Sequence, residues 1–521
     1  MLENWKALLE ASGLKVEDVR RAFKAGTTIE IASGLYGTSL EPLVRMLIPT
    51  LDGWVRRVPR KNLETGLTQT FKKITGVTLQ GKGTVANGTR GNSASITTGS
   101  KTIHLGNLTS GVFSTDLQTE KTGGTYEDIV ARLQVLKLMN ALRTENNHIL
   151  GGNVYALAVP AVTVAENTSV AGVLDHAATY YIYVRALTAN AANKALLGQL
   201  YPIPGPTKSS TYYTIDPSKI CGGSPSADLL DGYSAPSTVD ALATPVATSS
   251  IDISWSPIPG AVAYAIFIGT TTGITNAALQ CVTAQCNVTL LNVSTGGTKA
   301  SATTTYYDGY GVAQTADATG DTSADTNDYE GILSSLYGLD GAGTCTPSGC
   351  YLKHLGAQLS TAAGTGIAEI DEMLVSQFYN MLLNDDVTIL CGGLTRKSIN
   401  RSFGTATTGA TLNLVAPNTN GAQNSVAGLY VVKYIHPVTQ RLINIETDPG
   451  LADGIILSMP NSVPYADSGI TDLLTLWDLY DWLALDYAMT RPKKEGELQK
   501  RGGLMNYAPT AWGIIDNIYA G

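Results

Sequence analysis

The chain has 521 residues, of which 44% are hydrophobic and only 15% charged, well below the roughly 25% charged content of an average soluble protein. Its net charge of −8 gives no overall mark of a nucleic-acid binder. No apolar run approaches the ~18 residues that would span a bilayer. The mean hydropathy of +0.05 leaves ample material for real cores, and the length suggests two or three domains. Gly (54) and Tyr (25) are abundant and Phe (6) is scarce. Few charges beside many small residues are common in proteins that hide surface in assemblies.

Charge is unevenly distributed. Between about 205 and 345, twelve acidic residues from Asp216 to Asp340 face only Lys208, Lys219 and Lys299. The N-terminal region gathers Arg56, Arg57, Arg60, Lys61, Lys72 and Lys73, which read equally as a solvated arm or as a phosphate-facing one. Met1–Glu10 is acidic and amphipathic rather than a secretory leader, so a soluble product made in a cytoplasm is expected.

In chain order, 1–25 reads as one or two short amphipathic helices. Residues 26–60 read as an extended arm, in which Pro49 and Pro59 forbid one long helix. Residues 62–124 alternate Ile, Val and Leu with Thr and Lys between glycines, the pattern of a long β-hairpin. It has too little apolar surface to fold alone and needs a neighbouring domain or subunit. The strongest helix signal is 125–152, where Ile129, Leu133, Leu136, Met139 and Leu142 form one apolar stripe. Thr125 suits the N-cap, Asp128 the capping-box position, and Gly151–Gly152 the stop.

All-β character follows. Strands are expected at Tyr155–Val164 and Thr179–Thr188, with a Pro/Gly/Ser loop or linker over Pro202–Ser226. Apolar strings at 252–255, 260–271 and 280–293 resemble a fibronectin type III or immunoglobulin-like sandwich. There Trp255 would be the core tryptophan of an early strand, with Tyr264 facing it from the next. Thr179–Thr188 looks like a late strand of the same unit, which would span roughly 153–305. Gly309–Asn327 returns the chain to its main body. A second helix is expected at Gly366–Asn384, with Ile367, Ile370, Leu374, Phe378 and Met381 on one face. A buried strand follows at 387–392, then a third helix at Leu394–Phe403 and alternating strands and turns to the C-terminus.

The order of parts and several strings resemble a tailed-bacteriophage major capsid protein of the Hong Kong 97 type. These strings are EPLVRMLIPTLDGWVRRVPR (41–60), ALRTENNHILGG (141–152), GIAEIDEMLVSQFYNMLLNDDVTILCGG (366–393) and the segment from Trp477 to Ile518. The resemblance covers most of the chain outside 153–305. It implies an α+β fold with an N-terminal arm (1–61), an extended β-hairpin loop (62–124) and the spine helix of a peripheral domain (125–152). An inserted all-β immunoglobulin-like sandwich (153–305), a return to the body (306–365), an axial domain (366–455) and C-terminal peripheral strands (456–521) complete it. It further implies a structural shell protein of the virion, built into hexamers and pentamers of an icosahedral head. Implied partners are a portal, scaffold or cement proteins, and packaged double-stranded DNA contacted non-specifically, with no membrane. Some relatives cross-link through a hairpin lysine; Lys82 and Lys101 lie in the hairpin, but neither matches a cross-linking motif. The alternatives are an encapsulin-like nanocompartment shell and a phage tail or adhesin-type binding protein.

Chemical motifs are sparse. Gly76-VTLQ-Gly81-Lys82 begins like a phosphate-binding loop, but Gly83 stands where Ser or Thr is required, so it reads as a hairpin turn. His104, His148, His176, His354 and His436 have no paired spacing and read as surface or satisfied core residues. Asp385–Asp386 and the Asp317–Asp328 run lack a calcium-loop pattern. Cys345-TPSG-Cys350, with His354 beyond it, leaves a local disulfide, a metal ligand pair and free thiols open; Cys281 and Cys286 leave their redox state open. Asn107 and Asn292 head glycosylation-type triplets, which mean little without a secretory route. No residue is assigned a catalytic, cofactor-binding or metal-binding role, and no cofactor is implied.

Overall fold

The computed structural model describes residues 53–63, 68–78, 95–110, 112–116, 129–175, 178–189, 191–192, 232–243, 245–246, 248–293, 321–325, 327–338, 349–360, 366–381, 387–405, 433–463, 472–487 and 493–518. It also describes strand pieces at 28–29, 38–39, 202–204, 213–220, 303–307 and 313–317, and the single positions 87, 89 and 383. The expected helices of 1–25, the caps at Thr125 and Asp128, and the hairpin tip with Lys82 lie outside the described residues.

From the N-terminus, β1 (Thr28–Ile29) pairs with β2 (Thr38–Ser39). A one-turn helix, α1 (Gly53–Arg57), buries Trp54 and Val55, and Pro59 turns the chain into β3 (Arg60–Asn62). Next, β4 (Thr68–Thr78) and β5 (Ser95–His104) form the expected antiparallel hairpin, bulged between Ile74 and Gly76. Short β6 (Gly106–Thr109) and β7 (Phe113–Asp116) lead to the long helix α2 (Ile129–Gly151). Leu, Ala, Met, Arg, Lys and Gln dominate its first turns, all good helix formers.

The buried face of α2 is not the stripe read from periodicity. Leu133, Leu136, Met139 and Leu142 are half-buried, whereas Leu138, Ala141, Glu145 and Ile149 are buried. These four recur at three- and four-residue steps and turn toward a sheet in the order β3-β24-β25-β6, with β7 also on β25, where β24 is Leu474–Asp486 and β25 is Lys493–Asn506.

Two sheets built from 163–290 follow the helix. Their strands are β8 (Thr163–Asn167), β9 (Thr179–Leu187), β10 (Pro202–Pro204), β11 (Tyr213–Ile220) and β12 (Asp240–Ala243). β13 (Ser250–Ser254), β14 (Ala263–Gly269), β15 (Ala278–Thr283) and β16 (Asn287–Leu290) complete them. One sheet runs β10-β11-β16-β13-β8 and the other β12-β9-β14-β15. Ile251, Ile253, Val288 and Leu290 of the first join Ile182, Val184, Ala265 and Leu279 of the second in one core. Trp255 meets Tyr264 edge-on with ring centroids 5.1 Å apart, and the Tyr264 hydroxyl accepts the Ile258 N–H at 2.8 Å. Two expectations need correction. The first strand begins only at Thr163, with 155–162 irregular, and 202–226 contains two strands, β11 pairing in parallel with β16.

A hairpin of β17 (Thr303–Tyr307) and β18 (Ala313–Asp317) precedes α3 (Ile332–Tyr337). Then come β19 (Tyr351–Ala357), α4 (Ala368–Met381), β20 (Val387–Cys391) and α5 (Gly393–Thr405). The remaining strands are β21 (Lys433–Ile435), β22 (Leu442–Thr447), β23 (Ile456–Pro460), β24 (Leu474–Asp486), β25 (Lys493–Asn506) and β26 (Gly513–Ile518). A six-stranded sheet, β19-β26-β23-β20-β22-β21, lies between two cores. On one face Ile389, Ile456 and Ile515 pack with α4; on the other Leu390, Leu457 and Ile514 join the core shared with α2 and the two β-sheets of 163–290. Burial on both faces is why 387–391 is apolar at every position but Thr388. β24 and β25 make a long antiparallel ribbon of 13 and 14 residues.

Candidate functional site: a buried charge cluster, two stems and a docked hairpin

Five charged side chains from four distant segments meet under α2. Glu145 comes from the buried stripe of α2 and is 0% exposed; Lys500, from β25, is 1% exposed. Asp478 and Asp481 come from β24, and Arg60 from β3, the strand that carries the N-terminal arm onto the sheet edge. Arg60 grips both Glu145 oxygens at 2.9 and 3.0 Å, Asp481 at 2.7 Å and Asp478 at 3.4 Å. Lys500 Nζ lies 2.6 Å from Glu145 Oε1, 2.9 Å from Asp478 Oδ2 and 3.5 Å from Asp481 Oδ1. Trp482 Nε1 donates to Glu145 Oε2 at 2.9 Å. Gly502, opposite Asp478 in the ladder, leaves room for the carboxylate, since a Cβ there would sit 2.3 Å from Asp478 Oδ1.

Two cations thus serve three carboxylates in a site taken out of water. Burial pushes the Asp478 carboxyl up to about 6, against the opposing pull of Lys500 and Arg60. Asp481, nearer solvent, is held below its usual range: desolvation opposes this, and Lys500 and Arg60 outweigh it. Arg60 is desolvated too, yet its carboxylate partners hold the guanidinium above its ordinary value. Removing one member of such a set costs more than the set contributes, because the others stay buried and charged.

The second feature is a pair of stems. Gly331 N–H donates to the Gly152 carbonyl at 2.8 Å, Ser334 Oγ–H to the same oxygen at 2.6 Å, and Asp325 N–H to the Asn153 carbonyl at 3.1 Å. His148 Nδ1 lies 2.8 Å from Asp328 Oδ2. A Cβ on Gly152 would lie 2.4 Å from the Tyr329 carbonyl, and one on Gly151 1.9 Å from Ala189 Cβ, so the double glycine is needed for close approach as well as to stop the helix. The two β-sheets of 163–290 also dock directly on β26. Gln285 Nε2 donates to the Ile518 carbonyl at 2.9 Å, and Cys286 N–H to Asn517 Oδ1 at 3.0 Å.

Third, the hairpin β4–β5 is docked on the body of the protein. Phe71, Ile74 and Ile103 are buried with Leu63, Leu105 and Met505 nearby. Phe71 meets Tyr507 edge-on at 5.4 Å, and Ile74 N–H donates to the Tyr507 carbonyl at 2.7 Å. Thr70, Lys72, Thr97, Thr98, Ser100 and Thr102 are exposed. Neither strand pairs with another described strand. Lys101 forms an ion pair with Glu330.

Of the basic arm residues, Arg60 is committed to the cluster, Arg57 pairs with Glu446, and Lys61 lies 6.0 Å from the Trp477 ring centre. His354 is tied to Asp516 at 2.6 Å, and His436 Nδ1 accepts the Val438 N–H at 3.1 Å. Cys281 and Cys286 are buried thiols without a disulfide, while Cys345 and Asp385–Asp386 lie outside the described residues. Among the described residues no group of three or more His, Cys, Asp and Glu is placed to hold a metal ion, and no helix is long and apolar enough to cross a membrane. The sequence reading passed over Glu145, Asp478 and Lys500. One signal was available: Glu145 continues the Leu138–Ala141 spacing toward Ile149, an acid in an apolar stripe that must find a partner.

No family model matches the chain, and no curated protein matches its sequence. Among solved structures, the capsid of a native GTA particle aligns over 95% of this chain and 96% of its own, at 8% identity and a TM-score of 0.37. The capsid of cyanophage P-SCSP1u aligns over 95% and 92%, at 10% identity and 0.33. The SrpI encapsulin of Synechococcus elongatus PCC 7942 aligns over 37% and 57%, at 12% identity and 0.21. Values this low assign neither a family nor a function.

Proposed function

We propose that this chain is the repeating subunit of a closed protein shell, the major capsid protein of a tailed-phage head. The observation that carries the reading is the hairpin β4–β5. It is a two-stranded ribbon of 11 and 10 residues that docks through Phe71, Ile74 and Ile103, and its outer edges pair with no described strand. Such a ribbon is marginal alone and gains stability when a neighbour covers it. The half-buried Leu133, Leu136 and Met139 on α2 support the same reading, as apolar surface kept for a partner. In this reading the hairpin and the arm before Trp54 lap over adjacent copies, and α4, α5 and the six-stranded sheet face the symmetry axes of hexamers and pentamers. Portal, scaffold or cement proteins join the shell, which sits in the virion around double-stranded DNA contacted without sequence preference.

We further take the segment between the stems, 153 to about 327, as a sandwich inserted after the spine helix and related to immunoglobulin or fibronectin modules. The Trp255–Tyr264 contact supports this. Its chain order is unusual for such a module: β9 lies between β12 and β14 although it precedes both in sequence, where a linear module would place a late strand. Its contacts with β26 favour a firmly seated domain over one tethered by linkers alone.

The test is to express the full chain and examine it by light scattering and negative-stain electron microscopy, alone and with its neighbouring head proteins. Closed particles, or rings of five and six, are expected. Elongated trimers would overturn the reading in favour of an adhesin-type protein.

A further inference from the structure

The buried cluster contains one subset whose chemistry goes beyond charge balance and does not depend on the shell reading. Lys500 places its amine within hydrogen-bond distance of two carboxyl groups, Asp478 to react with it and Glu145 to move protons. We propose that Lys500 Nζ and the Asp478 carboxyl condense into an intramolecular isopeptide bond that ties β24 to β25, with Glu145 as the proton relay.

Proximity comes first. Lys500 Nζ stands 2.9 Å from Asp478 Oδ2 and 2.6 Å from Glu145 Oε1, the separation at which held groups react as one molecule. All three side chains are between 0% and 3% exposed, so water is excluded from the reacting atoms. Asp478 Oδ1 is buried without a hydrogen-bond partner among the described residues, so Lys500 and Arg60 engage the carboxyl group through Oδ2 alone.

Condensation begins with one proton transfer. Moving one proton from the Lys500 ammonium to the Asp478 carboxylate leaves the cluster's net charge unchanged, because Arg60, Glu145 and Asp481 are untouched. It supplies the neutral amine and neutral acid that condensation requires. Burial also raises the Asp478 carboxyl above its ordinary range, in the required direction. Arg60 and Trp482 fix the Glu145 carboxylate with Oε1 on Lys500.

The step balances. The Lys500 nitrogen lone pair attacks Asp478 Cγ and the C–N bond forms. Glu145 takes a proton from that nitrogen and returns it to the departing hydroxyl. The C–O bond breaks, one water leaves, and a secondary amide remains, with nothing oxidised or reduced.

The test is the intact mass of the full-length protein, denatured after purification, with tryptic mapping. The expected result is a mass lower than the sequence by one water. Trypsin should fail to cut after Lys500, and a branched peptide should join the segments that carry Asp478 and Lys500. Lys500→Arg should restore the sequence mass, and Glu145→Gln should leave a large unreacted fraction. A wild-type mass equal to the sequence, with normal cleavage after Lys500, overturns the proposal and leaves an ion pair. A water loss that persists in Lys500→Arg also overturns it. The wild-type measurement decides without requiring any variant to fold.

Discussion

Replacing Arg60 by Met tests whether the charge cluster anchors the arm strand to the body. The substitution keeps most of the aliphatic stem and removes the guanidinium that serves Glu145, Asp478 and Asp481. Breaking a fully buried pair by removing one partner costs about 3–5 kcal/mol. Arg60 retains 23% side-chain exposure, so solvent screening reduces this to about 2–4 kcal/mol. The cost must also depend on pH. Where the Asp478 carboxyl is free rather than condensed with Lys500, it lies near 6 in the native protein, above its unfolded value of 3.8. Its contribution to stability is therefore full below the unfolded value and is lost as pH rises through the folded one, a swing of roughly 3 kcal/mol. Without Arg60 the same carboxylate is harder still to ionise. The loss in Arg60→Met should thus be largest at about pH 8 and fall to about half near pH 5, where Asp478 is protonated. Urea unfolding followed by tryptophan fluorescence reads this, with Trp482 reporting from inside the cluster. A loss below about 0.5 kcal/mol, the range of an ordinary surface change, or a loss equal at both pH values, would refute the reasoning.

Gly331→Ala should be severe, because its Cβ would fall 2.6 Å from Gly152 N and 2.7 Å from the His148 carbonyl; a loss above roughly 3 kcal/mol is expected from such backbone overlap. Gly53→Ala, with nothing within 4 Å of its Cβ, is the neutral control, and equal melting temperatures for the two would contradict the stem geometry. Phe71→Ala should free the hairpin at a local cost of about 3 kcal/mol, speeding tryptic cleavage at Lys72 and Lys101 while the main unfolding transition stays in place. Unchanged cleavage would mean that other contacts hold the hairpin. His354 has its pKa raised by its hydrogen bond to Asp516, against desolvation. The stability it adds is full below its unfolded pKa and is lost as pH rises through the raised one. The melting-temperature gap between wild type and His354→Asn should therefore shrink from about pH 5.5 to about pH 8.5, and a gap that widens would be the wrong sign.

Local pattern alone carried a good part of this protein. The 3.6-residue period and the double glycine located α2, Ile367, Ile370 and Leu374 located α4, and the run at 387–391 marked a strand covered on both faces. Even the Trp255–Tyr264 contact was expected, from the resemblance of this stretch to an immunoglobulin-like sandwich. The helix and strand positions depend on neighbours within a few residues, and short-range sterics and burial decide them. Periodicity did not settle which side of α2 faces the core, since both Leu133–Leu142 and Leu138–Ile149 are apolar enough to qualify; the answer came from what β25 presents to the helix. The strands inside 202–226 depend on an edge of β16 for pairing, which composition does not record. The charge cluster is the extreme case. Arg60 and Asp478 are 418 positions apart, and each, read locally, is an ordinary surface residue. Only the closing of β3 and α2 onto the β24–β25 ribbon removes water from them, and a charge becomes costly, selective or reactive when its solvent is replaced by fixed partners.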